Sequence, residues 1–207
     1  MTSAAPGGAP DAAPGAPDAA PGAPDAALLA ARVTAFAAAA TLSTTQDLVR
    51  ATLPALGADA VPDVVAEETL VLVATVSARA AEAGLRAAPE ARTAAVPALA
   101  EVPLLYHDYL LGARLVAAGA EGEVPVDASV YDRLARKAAF YETHLAPGRV
   151  PGPRLLADKL PLWMGRVSPP GLPSSPDERL AALGLADVLA AHARLVLAFA
   201  EREAGRA

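Results

Sequence analysis

The sequence predicts an all-α protein: a single helical bundle of about seven helices preceded by a disordered tail rich in proline and alanine. Three observations lead there. After Asp25, apolar residues recur at three- and four-residue steps through nearly the whole chain; Gly and Pro interrupt that pattern at helix-length intervals; and no short alternating runs are joined by a hairpin turn. At 207 residues the chain suits one core, and a composition that is 54% hydrophobic, much of it alanine, fits close helix-on-helix packing.

The tail comes first. From residue 8 the chain reads GAPDAAP, GAPDAAP, GAPDAAL, three copies of a seven-residue unit. The spacing is that of a heptad, but each copy carries proline and the repeat lacks large apolar residues to form a seam, so an extended, solvated chain is expected over residues 1–24. The bundle domain then occupies 25–207. Asp25 can cap a first helix on which Leu28, Leu29, Val33 and Phe36 share a face. Thr44 or Thr45 opens a second segment, QDLVRATLPAL, that Gly57 ends. Pro62 and Asp63 start a third, long enough to be a helix although its Val-rich middle has strand propensity. Pro89 and Glu90 start a short helix, and Pro103 starts the one containing LLYHDYLLGARL, whose faces are all apolar and which is therefore expected at the centre. Asp127 or Ser129 begins SVYDRLARKAAFYETHL. The Pro-rich segment 150–174, with a short helix inside it, reads as a lid across the bundle. Ser175 to Glu178 then carry a start signal for the last helix.

Composition excludes several classes of function. The net charge of −6 and a pI near 5.1 give no basic footprint for nucleic acid or an anionic membrane. The absence of cysteine removes thiolate metal sites, iron–sulfur clusters and thiol nucleophiles. There is no phosphate loop, dinucleotide fingerprint or nucleophile elbow. No uninterrupted apolar run of about 20 residues and no secretory signal is read, so a cytoplasmic protein is expected. The excess of Ala, Gly, Pro and Arg suggests a GC-rich bacterial genome.

What remains is a set of polar residues on apolar faces. His107, His144 and His192, the three histidines of the chain, fall on three different helices, and bundles can converge such residues on one point. His107 and Asp108 are adjacent and therefore about 100° apart around a helix, so they face different neighbours. Asp108 lies among Leu104, Leu105 and Leu111, where an unpaired carboxylate would be costly. Arg133, Arg136 and Lys137 read as a solvated basic stripe. The residues support an enzyme doing non-redox acid/base chemistry of cyclisation, isomerisation or dehydration type on a small apolar molecule. His107, Asp108, His144 and Glu68 would be its acid/base set. Tyr106, Tyr109, Tyr131, Tyr141, Trp163, Arg166 and His192 would line the substrate cavity.

No cofactor is expected. A non-catalytic bundle that binds a ligand or a protein partner, a homodimer included, is the first alternative. A metal-dependent enzyme built on the histidines and a glutamate is the second, weakened because the Glu-x-x-His spacing of carboxylate-bridged di-iron bundles is missing. The His–Asp pair also lacks the upstream histidine that HD-type phosphohydrolases require.

Overall fold

A computed structural model describes residues 26–58, 60–108, 119, 128–167 and 183–206. Six α-helices are bounded among these residues: α1 Ala26–Leu56, α2 Pro62–Gly84, α3 Pro89–Ala100, α4 Ala128–His144, α5 Pro153–Val167 and α6 Leu185–Ala204. A 3₁₀ turn, Leu85–Ala87, links α2 to α3, and residues 102–108 are helical. No strand occurs among the described residues. The tail over 1–24, Tyr109 and most of the run after it, the 168–174 part of the Pro-rich segment and the start signal at Ser175 lie outside the described residues.

The central helix is α2, and it packs on α1, α3, α4, α5 and α6. Its sequence explains this. Leu70, Val71, Leu72, Val73, Ala74 and Val76 are all buried, so the helix is apolar around its circumference and has to be enclosed. Its Val-rich middle does not become a strand because surrounding helices supply the burial that β-branched residues need. Pro62 at its first turn and Asp63 beside it provide the start. The helix over 102–108 is therefore not the centre: Val102 and Pro103 are buried there, but Leu105 is 60% exposed and Asp108 is exposed as well.

The first helix corrects the expectation of a break near Thr44. It runs unbroken through Thr41, Ser43, Thr44 and Thr45. Hydroxyl side chains usually disturb a helix by competing for its backbone groups. Here Thr41 and Thr44 bond instead to side chains of α2 and α6. The helix ends at Gly57, whose φ of 84° is the left-handed conformation that terminates helices. By length and composition α1 could cross a bilayer; in the structure it packs on α2, α3 and α6.

Segment 150–174 contains the helix expected inside it. Its residues Pro153–Val167 form α5, which buries Leu156, Leu160, Trp163, Met164 and Val167 against α6 and α2. Helices α2 and α6 cross at Gly84, where an added Cβ would lie 2.6 Å from Ala200 Cβ and 2.9 Å from the Leu197 carbonyl oxygen. Glycine there allows an approach no other residue permits.

Candidate functional site

An open cleft of about 510 Å³ lies between α1, α2, α4 and the 102–108 helix. Its size falls in the range of sites that hold small molecules, about 300–1,000 Å³. Leu42, Val49, Leu70 and Leu134 give it an apolar floor, and Gln46, Tyr106, His107 and the Glu67–Arg133 pair supply its polar wall. The Tyr106 hydroxyl donates to the Ala38 carbonyl, and burial raises its pKa above the ordinary phenol value. His107, half-buried, carries no hydrogen bond within the described residues.

Behind this wall stands a buried ionic network. Glu68, 3% exposed, accepts two hydrogen bonds from the Arg166 guanidinium at 2.7 and 2.9 Å and one from the Tyr141 hydroxyl at 2.8 Å. Lys137 Nζ lies 2.9 Å from Glu68 Oε1 and 2.7 Å from Glu67 Oε1, bridging the two carboxylates. Glu67 in turn accepts two bonds from Arg133, at 2.9 and 3.0 Å. Burial alone would raise both carboxyl groups; the hydrogen bonds from Arg166, Lys137 and Tyr141 on Glu68, and from Arg133 and Lys137 on Glu67, outweigh it and hold both below the ordinary carboxylate value. Burial, then the Glu68 carboxylate, pushes the Tyr141 phenol far up, so it stays a donor. Arg166 also sits over the Phe140 ring, 4.6 Å from its centroid.

A third polar group is uncharged. The His192 ring is buried, with Nε2 2.6 Å from Ser77 Oγ and Nδ1 2.9 Å from Thr44 Oγ1; Ser77 Oγ is 2.6 Å from Thr41 Oγ1. Burial lowers the pKa of His192 to about 4, so the ring is neutral near pH 7. The Ser77–His192 pair resembles a nucleophile and its base, but Ser77 is 1% exposed and no substrate can reach it.

The predicted site residues thus separate into several places. His107 and Tyr106 line the cleft. Asp108 turns to the exposed surface, where it accepts a 2.9 Å bond from Tyr131, so its partner is a tyrosine and its setting is not the core. The phenol of Tyr131 is raised by that bond. His144 packs edge-on against Phe140 and borders a small apolar cavity of about 20 Å³, room for about one water. Glu68, Tyr141 and Arg166 meet in the ionic network, His192 lies in the hydroxyl chain, and Trp163 is a core residue at 2% exposure. The histidines do not converge, and no group of three or more His, Cys, Asp or Glu that could hold a metal occurs among the described residues.

Glu67, Lys137, Thr45 and Gln46 complete the picture, and no pattern in the sequence marks them as a set. Lys137 had a signal: it falls in register with Val130, Leu134 and Tyr141, the buried face of α4. Compared with protein-family models, curated proteins and solved structures, the chain gives no match.

Proposed function

We propose that the protein binds a small, largely apolar molecule in the cleft between α1, α2, α4 and the 102–108 helix. The observation that carries this reading is a 510 Å³ cleft with an apolar floor, beside which the His107 imidazole makes no hydrogen bond within the described residues. Clefts of this size that combine apolar walls with a few polar groups are the usual form of small-molecule sites. In its catalytic form the reading is non-redox acid/base chemistry, of cyclisation, isomerisation or dehydration type, with His107 as the proton carrier. Asp108, His144 and Glu68 take no part in that form, because none of them lines the cleft.

The test uses 6-propionyl-2-dimethylaminonaphthalene, an uncharged dye whose emission shifts on leaving water. Wild-type protein should bind it saturably. Val49→Trp, which fills the cleft from α1, should weaken binding at least about tenfold while the far-ultraviolet circular dichroism is kept. Val188→Trp, at an exposed position on α6 outside the cleft lining, should bind like wild type. Equal binding by Val49→Trp and wild type would refute the proposal.

A further inference from the structure

Helices α1 and α6 lie antiparallel, and three contacts fix their register: Arg32 with Glu203, Phe36 stacked on Phe199 with ring centroids 3.9 Å apart, and Thr44 with His192. The outer face of this pair is an apolar strip. On α6 it carries the exposed Val188, Ala191 and Leu195 and the half-buried Phe199, and α1 adds the half-buried Phe36 and Ala40. Leu195 is 54% exposed, and the register places it opposite Ala40, at the middle of the strip. No charged residue occurs on α1 from Val33 to Gln46. Arg194 of α6 points elsewhere, about 100° round the helix from Leu195 on the side away from Phe199.

Charge is confined to the two ends of the strip, and its sign differs between them. Where α6 finishes, Arg32, Arg202 and Arg206, each more than half exposed, surround Glu203. Three cations against one carboxylate leave that end positive among the described residues, and Glu201, on the far side of α6, does not cancel the excess. The other end carries the exposed carboxylates Asp47 and Asp187 against one cation, Arg50. Arg32 and Asp47 stand about 11 Å to either side of the centre of the strip, at a rise of about 1.5 Å per residue. A two-fold axis crossing the helices at that centre lays α1 on α1 and α6 on α6 in opposite directions. It brings the two Leu195 side chains together and sets each positive end on a negative one, whereas an axis along the helices would stack like charges.

We infer that this face pairs with a second copy of the chain, in a two-fold dimer that sets Arg32 against the partner's Asp47, and Arg202 and Arg206 against the partner's Asp187. A face two helices wide and about 24 Å long buries on the order of 1,000 Å² over both copies, the low end for a specific interface, so the dimer dissociates in the micromolar range. The cleft is lined from another side of α1, by Leu42 and Val49, and the two surfaces are separate.

Sedimentation velocity of the full chain between about 1 and 300 µM tests the inference, and wild type should pass from monomer to dimer across that range. Leu195→Glu, which sets two carboxylates together at the axis, should weaken association at least about tenfold with the circular dichroism unchanged. Asp47→Arg and Arg32→Asp should each weaken it about fivefold in low salt, since each makes like charges meet at both ends; Glu203 keeps Arg202 and Arg206 in the second variant. An equimolar mixture of those two variants should associate about as well as wild type, because opposite charges then meet again at both ends. A wild-type chain that stays monomeric throughout, including one that instead floats with phosphatidylglycerol vesicles, overturns the inference. So does a dimer that Leu195→Glu leaves intact, or a mixture that associates no better than either variant alone.

Discussion

Replacing Glu68 with glutamine tests the ionic network directly. The substitution keeps the side-chain volume, removes the charge and turns an oxygen that accepts from Arg166, Tyr141 or Lys137 into an NH₂ donor facing other donors. Breaking a buried ion pair from one side costs roughly 3–5 kcal/mol. Two features place this case at the low end. Lys137 retains Glu67 at 2.7 Å, and the Arg166 side chain is 33% exposed and can recover part of its hydration. The expected loss is about 3 kcal/mol, which lowers the urea midpoint by about 1.5 M for a slope of roughly 2 kcal/mol/M. A double-mutant cycle with Arg166→Met should show strong coupling, since the second change removes the cation left behind. The pH dependence has a definite sign. The folded Glu68 carboxyl lies below its ordinary 4.5, so its contribution is complete above that value and disappears as pH falls through the depressed folded one. Wild type and Glu68→Gln should therefore converge in stability at strongly acidic pH. A midpoint shift below about 0.5 M urea, or a gap between the two proteins that does not shrink on acidification, would refute the assignment of Glu68 as the keystone of this network.

Two further outcomes follow from the core. His192 is depressed from 6.5 to about 4, so the unfolded chain takes up a proton that the folded chain refuses, and wild type should lose stability progressively as pH falls between those values. Thermal midpoints of wild type and His192→Gln measured across that window check this, the variant showing the flatter profile. Gly84→Ala places a Cβ 2.6 Å from Ala200 Cβ and 2.9 Å from a backbone oxygen that cannot rotate away, so a cost of about 1–3 kcal/mol is expected in urea unfolding. A neutral effect would mean that α2 and α6 separate easily.

Much of the fold was legible because helix boundaries are local. Pro62, Pro89 and Gly57 act within a turn of the residues they punctuate, and the 3.6-residue period needs no knowledge of partners. The unbroken α1 was not legible for the opposite reason. Its run of Ser and Thr looks like a stop until Ser77 and His192, far along the chain, pair with the hydroxyls of Thr41 and Thr44. The same limit applied to the site. Periodicity sorts residues onto faces but does not say which neighbour each face meets, so the leucines around Asp108 suggested burial where the structure leaves Asp108 and Leu105 exposed. The angular offset of His107 from Asp108, a purely local quantity, matches their separate settings in the cleft wall and at the surface. The paired Glu67 and Glu68 within a Val-rich helix signalled a need for countercharges, yet the basic run of α4 read as solvated surface. Arg136 of that run is exposed; Lys137 turns inward, and the half-exposed Arg133 pairs with Glu67.

The Thr41–Ser77–His192–Thr44 chain has one more property. Each of its links can be made with the proton on either side, because hydroxyls rotate and the imidazole has two tautomers. Reversing every hydroxyl and exchanging the tautomer gives a second arrangement with all heavy atoms in place, as in the proton disorder of ice. This hydroxyl–imidazole chain thereby keeps two electrical polarities at one geometry. Ring-nitrogen chemical shifts of His192 would then report an average of the two tautomers, weighted by the local field along the chain.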